Sequence, residues 1–248
     1  MRWAFSREKV IISGDIVEIY QYKNPIKYKI KTDVNKKAVR PKNITEGEQK
    51  AINKRISTTR ARNTIRRLAN VNFGNPYDKF ITLTFADNIQ DLNYANREFK
   101  KFIQKLRYWL GNFKYLAVME KQKRGAIHYH ILCDYQPKID QTDLFEKWGH
   151  GFVEISAVCD GDIDNVGAYL IKYVSKDLSL AENCQKNYLC SKGLERPQIE
   201  YGIPAASIRN ALNKEEKAYV SSYDSVFNGK VTFKEYNLLR NSRRGEEN

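Results

Sequence analysis

No run of apolar residues in the 248-residue sequence approaches the ~18 that a membrane-crossing helix needs, so a helical span is excluded. Cysteine is scarce. Cys133, Cys159, Cys184 and Cys190 are widely spaced and include no Cys-x-x-Cys pair, which removes zinc-knuckle and dithiol redox chemistry. Reduced, mostly buried thiols are expected, since pairing Cys184 with Cys190 would need an oxidising compartment. With only 13 Gly and 6 Pro the chain is neither collagen-like nor low-complexity. No Gly-x-x-x-x-Gly-Lys-Ser/Thr segment occurs, so no P-loop helicase is expected within it. The first residues, Met1-Arg2-Trp3-Ala4-Phe5, lack the apolar stretch of a secretory leader, and a cytoplasmic location is expected.

What is abundant is positive charge. Lys and Arg number 43 against 29 Asp and Glu, a net charge of +14 that points to a polyanionic partner, most simply nucleic acid. The excess is regional: residues 1–74 hold 18 Lys and Arg against 6 Asp and Glu, so +12 of the +14 lies in the first third.

Alternating residues from 9 to 32, around Ser13-Gly14-Asp15 and again at Asn24-Pro25, predict a small strand meander. Thr45-Glu46-Gly47-Glu48 has the form of a capping box and opens a helix that runs to Asn72-Phe73-Gly74. Lys50, Lys54, Arg55, Arg60, Arg62, Arg66 and Arg67 on it read either as a solvated face or as a phosphate-tracking arm. From Lys79 a strand (80–85), an amphipathic helix (91–110), two strands (113–120 and 126–135) around a Lys121-Gln122-Lys123-Arg124-Gly125 turn, a helix (141–148), a strand (151–158) and a helix (163–178) follow. This order predicts an α+β fold, an antiparallel sheet with helices on one face, ferredoxin-like in type, with a basic strand-and-helix extension in front. Three segments are expected: a basic extension at 1–74, a core at 75–180, and an accessory region at 181–248 whose last eight residues read as a disordered tail.

Two constellations carry chemistry. Side chains alternate along a strand, so His128 and His130 share one face while Ile127, Tyr129 and Ile131 point into the opposite, apolar layer. A turn centred on Arg124 sets Glu120 directly across from His128. Two imidazoles and a carboxylate converging in this way suit a catalytic divalent ion; the alternative is two ordinary surface histidines. His150, between two glycines, reads as structural rather than as an extra ligand. The second constellation is Tyr169, Lys172, Tyr173 and Lys176, spaced i, i+3, i+4, i+7 as one helical stripe beside the core stripe of Val166, Leu170, Ile171, Val174 and Leu178. A phenol is a poor nucleophile without a neighbouring cation, and the two lysines offer that help.

In sequence order, Ile81-Thr82-Leu83-Thr84-Phe85, then His128-Tyr129-His130, then Tyr169-Leu170-Ile171-Lys172-Tyr173-Val174-Ser175-Lys176 resembles the three motifs of rolling-circle replication initiators of the HUH endonuclease superfamily. The tyrosine segment looks most like the two-tyrosine initiators of small DNA phages and related plasmids. Histidines before tyrosines is the initiator order, whereas conjugative relaxases carry the tyrosine first. The middle residue of the histidine motif, Tyr129, is bulkier than the family's usual aliphatic.

The resemblance covers about residues 79–178. It implies single-stranded or hairpin origin DNA as substrate, Mg²⁺ or Mn²⁺ held by His128, His130 and Glu120, and attack by a tyrosine to leave a 5′-phosphotyrosine adduct and a free 3′-hydroxyl. It also implies a host helicase and DNA polymerase as partners in a bacterial host cell, with Lys121, Lys123 and Arg124 joining the basic helix in DNA contact. Tyr173 is expected to make the first nick and Tyr169 the second transfer. Rival readings are an RNA-recognition-like module, which lacks its aromatic signature here, and a repressor using the basic helix, which leaves the histidines and tyrosines unexplained.

Overall fold

The computed structural model describes residues 3–29, 46–135, 140–158, 163–173 and 188–246. In chain order these form β1 (Trp3–Ser13), β2 (Ile16–Lys29), α1 (Glu46–Asn72), β3 (Lys79–Leu83), α2 (Leu92–Leu110), β4 (Tyr115–Lys121), β5 (Ile127–Cys133), α3 (Gln141–Trp148), β6 (Val153–Ala157), α4 (Val166–Leu170) with a 3₁₀ turn at Ile171–Tyr173, β7 (Tyr188–Cys190), β8 (Gln198–Tyr201), α5 (Gly202–Ala211), β9 (Tyr219–Ser225), β10 (Gly229–Asn237) and α6 (Leu238–Glu246). Among the described residues no helix is long and apolar enough to cross a membrane.

Two compact units result, one of Met1–Lys54 with Pro197–Asn248 and one of Arg55–Arg196. This division corrects the expected boundaries at 74/75 and 180/181. The first unit is an antiparallel sheet ordered β8-β1-β2-β10-β9, so the first and last parts of the chain pair into one sheet and residues 1–74 are not a separable extension. Val10, Val17, Ile19 and Tyr236 form its core against Ala205 of α5.

The expected turn at Asn24-Pro25 is instead part of β2, where the pairing register with β1 shifts between Ser6 and Glu8. Proline donates no ladder hydrogen bond, and the irregularity absorbs it without ending the strand. The expected disordered tail is likewise corrected: α6 runs to Glu246, started by the Asn237 side chain, which accepts from the Arg240 N–H at 3.1 Å.

The second unit carries the sheet that the motifs predicted. Its strand order β6-β3-β5-β4-β7, read with the sequence β3-α2-β4-β5-α3-β6, is the ferredoxin-like arrangement with β7 added at one edge. The amphipathic stripe of α2 buries Ala95, Phe99, Phe102, Ile103 and Leu106, and with α3 it covers the face bearing Ile81, Leu83, Met119, Tyr129 and Ile131. Asp91 caps α2 through the N–H groups of Asn93 and Tyr94, and Asp140 caps α3 through that of Thr142.

The opposite face bears Phe80, Leu116, Val118 and Leu132 and carries a second core, supplied by Ile65, Leu68, Ala69 and Phe73 from the end of α1 and by Val166 and Leu170 of α4. Both faces of the sheet therefore support helices. The face under α1 and α4 is also the one to which His128 and His130 belong.

Candidate active site

Alternation puts Phe80, Thr82, His128, His130, Val118 and Glu120 on a single face, and the strand ladders fix their rows. Glu120 pairs with His128, Val118 with His130, and Thr82 with both His130 and Glu154. The Glu120 to His128 register is the one that the turn arithmetic required. Its glycine, Gly125, sits at φ 95°, where L side chains are rarely found. Arg124 locks this turn. Its guanidinium donates to the Phe85 carbonyl at 2.7 Å and the Ala86 carbonyl at 3.3 Å, so the side chain expected to contact DNA is occupied in holding the loop after β3. Lys121 and Lys123 beside it are exposed.

The Glu120 carboxylate reaches diagonally to His130 Nε2 at 2.9 Å, and His130 Nδ1 lies 3.3 Å from the Thr82 hydroxyl. His128 is buried, and its Nε2 has no hydrogen-bond partner. Burial lowers the pKa of both histidines, reinforced at His128 by its neighbour His130 and opposed at His130 by Glu120, so the neutral form that can ligate a metal is favoured. Among the described residues no three His, Cys, Asp or Glu side chains stand ready as a metal cage. The donor set nonetheless fits a divalent ion: two neutral imidazoles and a carboxylate on one face, one ring nitrogen buried and orphaned. A cation taken up here must replace the proton shared between His130 and Glu120, so binding releases a proton.

The tyrosines stand over this face. Tyr173 stacks on the His130 ring with centroids 3.9 Å apart, and its hydroxyl donates to that of Tyr169 at 3.1 Å. Phe80 lies among them, 5.9 Å from His130, 5.4 Å from Tyr173 and 5.2 Å from Tyr169 between ring centroids. Burial pushes the Tyr173 pKa above that of an ordinary phenol, with further contributions from the Tyr169 hydrogen bond and the Glu120 and Glu154 charges. Lys172 is exposed, with Nζ 5.2 Å from the Tyr169 ring centroid. Lys176, with Val174 and Leu178 of the core stripe, lies outside the described residues.

Several positioning groups escaped the sequence reading. Asn165 caps α4 through the Ala168 N–H at 2.9 Å, and Asn70 of α1 both donates to Asn165 at 3.1 Å and accepts from the Gly167 N–H at 2.6 Å. Those two asparagines hold the tyrosine helix against α1. Glu154 is a second carboxylate on the histidine face, and the alternation of Val153-Glu154-Ile155 was its only signal.

The remaining expected sites separate. His150 lies 3.3 Å from Glu98 and packs against Phe85 and Trp148 on the α2 side of the sheet, consistent with the structural role read for it. On α1, Lys50, Lys54, Arg55 and Arg60 are exposed, while Arg62, Arg66 and Arg67 are half-buried. Cys133 is a buried free thiol, but Cys190 is free and exposed; Cys159 and Cys184 fall outside the described residues.

Residues 78–178, the stretch that contains the sheet strands, both histidines and both tyrosines, match the family model of the replication-associated protein ORF2. The chain is 30% identical to the Phasyl DNA replicon protein arp of Escherichia coli, over 40% of this chain and 43% of that one. It thus spans less than half of that curated relative. A likeness to the crystal structure of the hypothetical protein ORF119 from Sulfolobus islandicus rod-shaped virus 1 covers 48% of this chain and 96% of that one at 23% identity, with a TM-score of 0.34. The first two findings mark the segment as similar to replication-associated proteins.

Proposed function

We propose that the protein is a metal-assisted DNA nicking and joining enzyme of the HUH endonuclease superfamily, of the two-tyrosine type, that initiates and terminates rolling-circle replication. The observation that carries this reading is the stacking of Tyr173 on His130, which brings a candidate nucleophile to the histidine and carboxylate face. The match of residues 78–178 to replication-associated proteins supports it.

In the proposed reaction the Tyr173 oxygen attacks the phosphorus of a scissile phosphodiester in single-stranded or hairpin origin DNA. An O–P bond forms to the tyrosine, and the bond to the 3′ oxygen breaks. That oxygen leaves as a 3′-hydroxyl after taking a proton from water, and the 5′-phosphate stays on the protein. The phenolic proton passes out along the bond to Tyr169, whose ring lies beside the Lys172 ammonium. Because burial keeps Tyr173 protonated, this outlet matters. Mg²⁺ or Mn²⁺ held by His128, His130 and Glu120 would supply Lewis acidity at the scissile phosphate. Tyr169 makes the second transfer, and the adduct conserves the phosphodiester energy, so joining needs no ATP. The exposed cations of α1, with Lys121 and Lys123, track the DNA backbone. A host helicase and DNA polymerase act on the opened origin.

Incubation of the protein with end-labelled single-stranded oligonucleotides and Mn²⁺, resolved on a denaturing gel, tests the reading. A labelled band that survives denaturation at the protein's mass is expected. Binding without such a band would instead favour a non-catalytic DNA-binding protein.

A further inference from the structure

Behind the tyrosines lies a cavity of about 310 Å³ that the proposed reaction does not use, lined by residues that include Phe80, Leu132, Ser156, Val158, Ile163 and Tyr169. Its lining contains no charged side chain, so it offers nothing to a phosphate or an amine. It does offer two aromatic rings, set edge to face at 76°, and a wall of aliphatic carbon with the Ser156 hydroxyl at its rim. Neutral, flat and aromatic is the description of a nucleobase, and the volume lies at the small end of ligand pockets.

The location narrows the occupant further. Phe80 is a wall of the cavity and also lies within 6 Å, centroid to centroid, of His130, Tyr173 and Tyr169. A strand whose phosphate rests at Tyr173 therefore has a neighbouring base within one ring's thickness of the opening. Enzymes that work on single strands commonly splay a base out and grip it between aromatic and aliphatic side chains while the phosphate is held elsewhere.

We propose that this cavity receives one unstacked nucleobase adjacent to the scissile phosphate and so sets the sequence preference of cleavage. The proposal rests on the nuclease reading above and adds to it the place where a base is read.

The full-length protein, with Mn²⁺, is given a pool of random single-stranded oligonucleotides, and the captured and released halves are sequenced around the join. A marked base preference at one position beside the join is expected. Replacing that base by an abasic residue is expected to lower capture about tenfold, the scale of losing one base–aromatic stack, while abasic residues further out have little effect. Ser156→Phe builds a ring into the cavity from an exposed strand position and is expected to capture intact and abasic strands alike. Ser156→Leu serves the same purpose if the phenylalanine variant melts early. Equal capture of intact and abasic strands by the wild type, or unchanged discrimination by a stably folded Ser156 variant, overturns the proposal.

Should no strand be captured, the nuclease reading fails by itself, and the cavity is tested separately by titrating the protein with the four deoxynucleoside monophosphates. Amide chemical shifts moving at Val158, Ile163 and Val166 would support a base site. Absence of any such shift would overturn it.

Discussion

At the scale of single residues, the site is defined by which atoms already have partners. His130 is held at both ring nitrogens, by Glu120 and by Thr82, whereas His128 Nε2 is buried with none. An orphaned buried nitrogen costs stability, and its retention in a site with a carboxylate alongside is best explained by a ligand. Replacing both histidines by alanine is expected to abolish covalent capture of DNA in Mg²⁺ while changing DNA affinity by less than about tenfold, or about 1.4 kcal/mol, because phosphate contacts elsewhere dominate binding. Full capture by the double variant would remove the metal assignment.

On the other side of the sheet, Glu98 is held below the usual glutamate range, chiefly by its hydrogen bond from Lys101, with Arg97 and His150 adding to the effect against its burial. Because its folded-state pKa is depressed, its contribution is full above the ordinary value of 4.5 and drains away as pH falls through the lowered one. Glu98→Gln should therefore flatten the acid-side fall of the melting temperature and leave the neutral-to-alkaline profile unchanged in shape. Parallel acid profiles for the two proteins would contradict the assignment.

At the scale of elements, the tyrosine helix is short and its position is borrowed from α1. Gly167 sits so close to the Arg66 carbonyl that a Cβ there would collide with it and with the Asn70 side chain. Gly167→Ala is expected to cost about 1–3 kcal/mol as an overpacking substitution, read as a lowered denaturation midpoint, and to reduce capture by displacing Tyr169 and Tyr173. Asn165→Ala removes the cap and should cost about 1 kcal/mol. Wild-type stability in both variants would show that α4 does not depend on α1.

These contacts were illegible in the sequence because Asn70 and Asn165 are 95 positions apart and ordinary in type. The Glu120 to His128 register was legible, since a tight turn fixes cross-strand partners by arithmetic alone. The same locality explains α2 and α3, where stripe, cap and stop all lie within one segment. It also explains the missed irregularity in β2, where the partner strand rather than the Asn24-Pro25 pair decided the outcome.

At the scale of the molecule, the basic first third is divided between two units. Strands β1 and β2 join the last part of the chain in one sheet, while the second half of α1 belongs to the unit with the catalytic face. Only strand pairing between distant segments reveals this, and neither composition nor periodicity encodes it. Deleting residues 1–74 would strip both sheet strands and the Ile65, Leu68 and Phe73 core, so charge reversal is the informative experiment. Changing exposed Lys54, Arg55 and Arg60 together to Glu is expected to weaken single-stranded DNA binding and to flatten the slope of log affinity against log salt by about 0.7 for each phosphate no longer neutralised. An unchanged slope would assign the helix to another partner or to solvent.

The central claim concerns one oxygen atom, and the sequence allows it to be tested directly. Lys172 separates the two tyrosines, so trypsin releases Tyr173 in Tyr173-Val174-Ser175-Lys176 and leaves Tyr169 in the preceding peptide. After reaction with single-stranded DNA and Mn²⁺ and digestion of the strand to its terminal nucleotide, mass spectrometry locates the bound phosphate. Modification of Tyr173 in the first turnover, lost in Tyr173→Phe, is the expected result. A nucleotide on a residue outside this helix, or no adduct on any peptide, would contradict it.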